Sequence, residues 1–212
     1  ENLVQQDGQR KVYLLGKKVF DLVRDADDRF DLQALALDEM LHLYSLYGAN
    51  VTLGVPSGLE VVYLRMLEAK PVANPVPKPG MREPIHCSAS GKALTAFLPD
   101  KIIDAKLADY DFVPFTERTI GNPEAFKASL ETVRKDGYAF NDREEYEYFT
   151  GISAPIFDYQ GNAVAVLNIW SLETLHPISE MHTWSYELIA SARRVTEIIS
   201  GVPPDPEKLR GG

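Results

Sequence analysis

The chain of 212 residues is 45% hydrophobic and 25% charged, proportions that are ordinary for a globular domain with its own core. It has 22 lysine and arginine residues against 31 aspartate and glutamate residues, and the formal net charge of −9 argues against a strong nucleic-acid-binding surface, because phosphate binding requires a basic face. A single cysteine, Cys87, excludes an internal disulfide and a four-cysteine zinc site.

The sequence shows no signal for a membrane or for export. No apolar run reaches the roughly 18 residues that a membrane span needs. The polar first ten residues lack the apolar core of a signal peptide. We therefore expect a cytoplasmic protein without a membrane partner.

Two helices are predicted in the first fifty residues. Residues 1–10 carry no apolar pattern and are expected to be loose. A first helix is predicted from Val19 to Ala26 by its apolar spacing. A second helix, which Gly48 ends, carries one predicted apolar face formed by Phe30, Ala34, Leu37, Leu41 and Tyr44.

The next segment predicts a β-hairpin. Apolar residues alternate from Val51 to Val55, and Pro56-Ser57-Gly58 forms a turn. Residues 60–67 return as the second strand. Residues 71–84 are so rich in proline that they allow only a loop with short edge strands.

Three helices are predicted in the middle of the chain, over residues 88–98, residues 102–108, and from Asn122 onward. Asn122 is the N-cap of the third helix and Pro123 its first residue. Gly137 ends that helix, whose inner face is formed by Phe126, Leu130 and Val133.

A second hairpin and a last helix complete the predicted domain. Strands over residues 151–157 and 163–170 are joined by a Gly-Asn loop, which is typical of hairpins. A helix follows over residues 179–200, and residues 203–212 are expected to be a flexible tail. Because the strands come in adjacent pairs, the predicted fold class is α+β with an antiparallel sheet.

The most informative segment runs from Pro84 to Leu94, where small residues crowd the start of a predicted helix. Free backbone N–H groups at the positive end of a helix dipole can bind a carboxylate or a phosphate. The segment is not a P-loop, because that motif requires glycine in place of His86 and serine or threonine in place of Ala93. The alternative is a tightly packed helix start, capped by Ser88 or Ser90.

Two other groups of residues could carry chemistry. His86 beside Cys87 suggests a nucleophile with its base or a metal pair, but no second cysteine stands at ligand spacing. We interpret His86 as structural and Cys87 as a small buried residue, and we predict no catalytic residue, no metal site and no cofactor. An acidic run could serve acid–base chemistry or metal binding, but we interpret it as a solvated loop; it comprises Asp142, Glu144, Glu145 and Glu147.

The last strand carries an unusual polar residue. Alternation places Asn168 on one face of this strand with Val164, Val166 and Trp170. A buried amide needs hydrogen-bond partners. Either a polar ligand or the backbone of a neighbouring loop could supply them.

Several segments resemble those of the IclR family of bacterial transcriptional regulators. Residues 84–94 resemble its P-L-H-A-T-A-x-G-K-A-L segment, and residues 136–145 its G-Y-A-x-D-D-x-E-E stretch. Residues 151–161 are similar to its A-A-P-V-F-D-x-x-G strand and turn, and residues 115–120 to its connecting loop. These segments occur in the family's order over residues 13–200.

The resemblance implies a domain organisation. Tyr13-Leu14-Leu15-Gly16 resembles the Y-x-L-G that follows the family's winged helix-turn-helix. Residues 1–29 would then be the end of the winged-helix region and a linker helix. Residues 30–202 would form the effector-binding domain, with a GAF-like fold in which helices flank an antiparallel sheet, followed by the tail at 203–212. The DNA-binding domain itself would be missing from this chain.

The resemblance also implies a binding site. The family's pocket uses small residues at a helix start and the first acidic position after G-Y-x-x. It also uses a position entering the next strand and alternate residues of the last strand. In this sequence, those positions are Ala89 and Ser90, Asn141, Gly151, and Asn168 and Trp170, in the same order. Three of them depart from the family pattern. Asn141 replaces an acid, Gly151 stands where a thiol can occur, and Trp170 is bulkier than the small polar residue of some members.

We therefore expect the regulatory part of an IclR-type transcription factor. It would bind a small organic metabolite, preferably a carboxylate held near Ser90, and so change how a homodimer or tetramer presents its DNA-binding domains to operator DNA. Two rival functions remain open. One is a small cytosolic enzyme on the same fold that uses Cys87 with His86 or the acidic run, and the other is a free-standing GAF-type sensor.

Overall fold

The structure is a computed structural model that describes residues 31–70, 78–205 and 209, together with the strands at residues 4–6 and 13–15. The chain divides into two compact units, Glu1–Leu35 and Ala36–Gly212.

The first unit contains a two-stranded antiparallel sheet and a short helix. Strand β1 (Val4–Gln6) pairs with β2 (Tyr13–Leu15), and helix α1 spans Leu32–Leu35. The expectation that residues 1–10 are loose is therefore wrong for β1, which pairs through its backbone although its sequence carries no apolar alternation. The helix predicted from Val19 to Ala26 lies outside the described residues.

The second unit is built on a six-stranded antiparallel sheet in the order β5-β4-β3-β8-β7-β6. These strands are β3 (Asn50–Ser57), β4 (Glu60–Leu67), β5 (Arg82–Pro84), β6 (Ala139–Asp142), β7 (Phe149–Phe157) and β8 (Ala163–Leu172). Both predicted hairpins are confirmed, because β3 pairs with β4 and β7 with β8. The predicted α+β, GAF-like class is confirmed as well.

Helices cover both faces of this sheet. They are α2 (Leu37–Tyr47), α3 (Ala89–Thr95), α4 (Asp100–Leu107), α5 (Pro123–Asp136), α6 (Ile178–Met181), a 3-10 turn (His182–Trp184) and α7 (Ser185–Ile198). Helix α3 packs against β6, β7, β8 and α5, while α7 packs against β7, β8 and α2. Among the described residues, none of these helices is long and apolar enough to cross a bilayer.

Helix α5 forms as its sequence predicts. The Asn122 side-chain oxygen accepts a hydrogen bond from the Ala125 backbone N–H at 2.8 Å, which caps the helix start. Gly137 ends the helix with a φ of 80°, a left-handed conformation that glycine adopts without strain. The predicted inner face of Phe126, Leu130 and Val133 is buried.

The apolar face predicted for the helix before Gly48 is wrong. The buried residues of this region are Ala36, Met40 and Leu43, while Leu41 is 46% exposed. The buried set is spaced i, i+4 and i+7 like the predicted one but is shifted by one residue. Both sets are largely apolar, so the spacing alone does not decide which of them faces the sheet.

The single helix predicted over residues 179–200 is split into α6, the 3-10 turn and α7. The hydroxyl of Thr183 donates to the Glu180 carbonyl at 2.7 Å, and that of Ser185 donates to the His182 carbonyl at 2.7 Å. Such side-chain bonds to nearby carbonyls compete with regular helix formation. Both hydrogen bonds lie where the predicted helix is divided.

Candidate functional site

The sheet register brings three of the predicted site residues into one row. Asn141 of β6 pairs with Gly151 of β7, and Gly151 pairs with Trp170 of β8. Asn168 lies two positions from Trp170 and pairs with Ser153. Because side chains alternate with a period of two, Asn168 and Trp170 share one face of the sheet, and this is the face on which α3 lies.

A cavity lies over this row. It is lined by five of the six predicted residues, namely Ala89, Asn141, Gly151, Asn168 and Trp170; we call it the Trp170 cavity. The sixth residue, Ser90, does not line it, but its hydroxyl lies 3.2 Å from the hydroxyl of Tyr63, which does. The open volume of the cavity is about 30 Å³, which is room for one or two water molecules.

Gly151 keeps the floor of the cavity open. A Cβ atom at this position would lie 3.1 Å from both the Ile169 carbonyl oxygen and the Trp170 Cβ. It would also lie 3.6 Å from the Asn168 side-chain oxygen. Any larger residue at position 151 would therefore occupy space next to the Asn168 amide.

The helix start at Ala89 is tightly packed, as the alternative interpretation of residues 84–94 proposed. The Ser88 hydroxyl accepts from the Gly91 backbone N–H at 3.0 Å and donates to the Pro84 carbonyl at 3.0 Å. A Cβ at Gly91 would lie only 2.4 Å from the Ile85 Cα. These contacts account for the serine and the glycine through packing alone.

Six residues that line the cavity were not predicted as site residues: Tyr63, Glu83, Glu145, Tyr146, Phe149 and Thr150. Tyr63 and Glu83 come from β4 and β5, whose alternation gave no sign of a site. Glu145 belongs to the acidic run, where the sequence did carry a signal. Tyr146 and Phe149 form an aromatic wall with Trp170, with ring centroids 5.4 Å apart for Tyr146 and Phe149 and 4.9 Å apart for Phe149 and Trp170.

Two of these residues place carboxyl groups at the cavity. Burial raises the pKa of Glu83 to about 7, although the hydroxyl of Tyr63 donates a hydrogen bond to its carboxylate and so favours the ionised form. Burial, together with the nearby charge of Glu83, raises the pKa of Glu145 to about 8. At neutral pH, the pair therefore holds a proton that two solvated glutamates would have lost.

The interpretation of the acidic run as a solvated loop is wrong for Glu144 and Glu145 and right for Glu147, which is exposed. Glu144 is buried, and its Oε1 lies 2.5 Å from the ammonium nitrogen of buried Lys92. The loop is also anchored by Thr119, whose hydroxyl donates to the Glu144 carbonyl at 2.6 Å. This contact gives the segment at residues 115–120 a structural role.

Cys87 is buried, as predicted, and His86 is buried beside it in the chain. The two ring nitrogens of His86 are used by the Tyr110 hydroxyl at 2.8 Å and by the Val113 carbonyl at 3.0 Å. Burial lowers the pKa of His86 and raises that of the Cys87 thiol. A neutral, buried thiol is a poor nucleophile, so these residues act through packing.

The amide of Asn168 is only partly satisfied by the protein. Its nitrogen donates to the Thr52 hydroxyl at 3.0 Å on the neighbouring strand. Its oxygen accepts no hydrogen bond from the described residues. The partner of the Asn168 amide nitrogen is therefore a side chain of a neighbouring strand and not the backbone of a neighbouring loop.

Comparisons with known proteins agree with this architecture. The family described as "Bacterial transcriptional regulator IclR C-terminal" matches residues 25–196. The chain is 26% identical over 185 residues to the HTH-type transcriptional regulator XynR of Escherichia coli (strain K12), covering 87% of this chain and 73% of that protein. It is 30% identical over 195 residues to the HTH-type transcriptional regulator KdgR of the same organism, covering 91% and 73%.

A solved structure supports the same assignment. The crystal structure of the Thermotoga maritima IclR matches with a TM-score of 0.77 at 28% identity, covering 94% of this chain and 80% of that chain. The fold and these relatives define a regulatory, ligand-binding domain of a bacterial transcriptional regulator rather than an enzyme. The chain belongs to the IclR family, and it contains the effector-binding domain of that family.

Proposed function

We propose that this chain senses a small organic effector in the Trp170 cavity and that it belongs to a longer regulator whose DNA binding responds to that effector. The observation that carries this proposal is the meeting of five predicted residues, from α3, β6, β7 and β8, around one cavity. Family resemblance selected those residues from sequence alone, and they converge although they lie far apart in the chain.

The small open volume suits a sensor. At about 30 Å³, the cavity admits an organic molecule only if surrounding side chains move. A ligand shifts a conformational equilibrium only when it binds two conformations unequally. A cavity that opens for its ligand has that property, since the opened arrangement binds and the closed one does not.

The sequence and the residues that line the cavity favour effectors of different charge. The sequence favours a small carboxylate at the start of α3, and Ala89 does line the cavity. Among the described lining residues, however, there is no lysine, arginine or histidine, whereas Glu83 and Glu145 are both present. Small carboxylates are therefore tested against ligands of other charge.

A thermal-shift screen of small organic acids, amines and alcohols on this chain tests the proposal. A ligand at 100 times its Kd adds about 2.7 kcal/mol to the free energy of unfolding. Asn168→Leu removes the cavity amide and is expected to weaken binding by about 1–3 kcal/mol. Asn162→Leu, at the exposed turn between β7 and β8, is the matched control and should bind as the wild type does. Equal binding by both variants would place the effector elsewhere.

We further propose that the regulator works as a homodimer or tetramer in the bacterial cytoplasm. Residues 1–29 would be the end of its winged-helix region and the linker, residues 30–202 the effector domain and residues 203–212 the C-terminal tail. Operator DNA would be bound only through the winged-helix domain upstream. Sedimentation of this chain as a monomer of 23.7 kDa at micromolar concentration would contradict the assembly.

A further inference from the structure

The polar groups that face the Trp170 cavity are rich in hydrogen-bond acceptors. Glu83 on β5 and Glu145 in the loop after β6 contribute two carboxyl groups. Asn168, which is only 5% exposed, contributes a side-chain oxygen that accepts no hydrogen bond from the described residues. This oxygen lies toward the space above Gly151 in the cavity, where water or a ligand can donate a hydrogen bond to it. Because it lines the same cavity as the two carboxyl groups, a ligand that supplies donors matches this wall.

The charge of this group of acceptors is not balanced by the protein. Within the described part of the chain, no basic side chain lines the cavity. The buried ammonium group of Lys92 is paired with Glu144. No group of three histidine, cysteine, aspartate or glutamate residues that could hold a metal ion is found in the same part of the chain. An organic cation therefore fits these acceptors better than an anion does.

The remaining wall of the cavity is aromatic. Phe149 and Trp170 are buried and pack edge to face, and the ring of Tyr146 packs against Phe149. Aromatic faces attract cations and also cover the apolar body of an organic molecule. The cavity thus combines carboxylates with an aromatic wall.

We propose, on the basis of the effector site proposed above, that the effector is a small organic amine whose primary ammonium group binds Glu83, Glu145 and the Asn168 side-chain oxygen. An ammonium group has three N–H donors, one for each of these acceptors. The organic part of the molecule lies against Phe149 and Trp170. This binding mode differs from that of a carboxylate held at the start of α3.

Proton release distinguishes an amine from a carboxylate. Around the acid pair lie Tyr63, which donates to Glu83, and Tyr146, together with the charges of the Lys92–Glu144 pair and the buried Cys87 thiol. An ammonium ion stabilises the ionised acids and releases the proton that the pair holds near neutral pH. A carboxylate ligand requires the acids to be protonated and therefore takes up protons.

The test uses three probes of similar size, propylamine, propan-1-ol and propionate, at equal concentration and ionic strength. Isothermal titration in buffers of different ionisation enthalpy measures both affinity and proton exchange. We expect propylamine to bind about ten- to a hundredfold more tightly than propionate, as a charge-assisted hydrogen bond predicts, and to release protons at pH 7.

Two matched variants check the position of the ammonium group. Glu145→Gln and Glu83→Gln keep the side-chain shape and should each weaken propylamine binding about tenfold or more. Glu147→Gln, an exposed neighbour in the same loop, should have no effect. If Glu145→Gln folds poorly, Glu83→Gln provides the same measurement from a different strand.

The outcomes separate this proposal from the effector site itself. Tighter binding of propionate, weakened by Asn168→Leu, would overturn the amine and leave the cavity as the effector site. Propylamine that binds the wild type, Glu145→Gln and Asn168→Leu equally would overturn both. Absence of binding by propylamine would overturn the amine alone, and the wider ligand screen would then decide the site.

Discussion

Adjacent residues place two carboxyl groups in different electrostatic surroundings on the α3 side of the sheet. Glu144 is 6% exposed and is paired with the ammonium group of Lys92, which is 3% exposed. Glu145 faces the Trp170 cavity, where its charged neighbour is another acid, Glu83. One acidic run thus supplies both a buried ion pair and an acid that faces a cavity beside another acid.

The backbone before these residues helps to explain the difference. Arg143 has a φ of 62°, the left-handed conformation that non-glycine residues rarely adopt. Its N–H donates to the Phe149 carbonyl at 3.0 Å, which closes the loop. The Glu144 N–H donates to the Asn141 side-chain oxygen at 2.8 Å. These two hydrogen bonds hold the loop at both ends of the turn. Within it, the Glu144 side chain reaches Lys92, whereas that of Glu145 lines the Trp170 cavity.

The largest effect is expected at the structural ion pair. Lys92→Met should lower the free energy of unfolding by about 3–5 kcal/mol, because it leaves Glu144 buried without its cation. One oxygen of that carboxylate, Oε2, already has no hydrogen-bond partner among the described residues. Urea unfolding monitored by tryptophan fluorescence measures the change.

Two variants show whether the loss comes from the unpaired charge. Lys127→Met breaks an exposed ion pair with Asp104 and should cost at most about 1 kcal/mol. The double variant Lys92→Met with Glu144→Gln removes both charges and should recover part of the stability. A double variant as unstable as Lys92→Met alone would show that packing, rather than charge, explains the loss.

A smaller effect is expected from the acid pair, in the form of pH dependence. The folded-state pKa values of Glu83 and Glu145 are raised to about 7 and 8 from the ordinary value of 4.5. Between pH 6 and 8.5 both carboxyl groups are already ionised in the unfolded chain, whereas in the folded chain they lose their protons over this range. Stability should therefore fall as the pH rises, by about 1–3 kcal/mol after allowance for partial solvent contact.

Glu145→Gln isolates the contribution of the pair. With no acid at position 145, the decline between pH 6 and 8.5 should be clearly smaller, since one titrating group and its repulsion of Glu83 are gone. The measurement is chemical unfolding at a series of pH values, with Glu147→Gln as control. Parallel pH profiles for the wild type and Glu145→Gln would show that the pair does not titrate in this range.

Much of the fold could be predicted because its signals are local. Asn122, Pro123 and Gly137 define the ends of α5 by capping, and the alternation of residues 51–55 and 60–67 defines a hairpin. The face of α2 could not be predicted in the same way. The buried Ala36, Met40 and Leu43 have the same helical spacing as the predicted Leu37, Leu41 and Tyr44, so periodicity alone does not decide between the two faces.

The site could be predicted only in part, for a related reason. Family resemblance selected Asn141, Gly151 and Trp170, which the sheet register then brings into one row. The carboxyl group of Glu83 comes from an edge strand, and its environment depends on contacts with Tyr63 and on the charge of Glu145. A pKa set by burial and by distant residues is not visible in a linear pattern.

The smallest effect should come from the hydroxyl that orients the acid pair. Tyr63→Phe removes the donor to Glu83 and the contact with Ser90. We expect a loss of about 1 kcal/mol at pH 6, where Glu83 is largely protonated, and about 2 kcal/mol at pH 8, where the lost bond is to a charged acceptor. Because the Tyr63 hydrogen bond lowers the pKa of Glu83, that pKa should rise further in the variant. Tyr146→Phe is the matched control, since the Tyr146 ring lines the same cavity while its hydroxyl makes no hydrogen bond to the described residues. An equal loss at both pH values would mean that the Tyr63 hydroxyl contributes through a contact that does not depend on the charge of Glu83, such as that with Ser90, and leaves the ionisation of Glu83 unchanged.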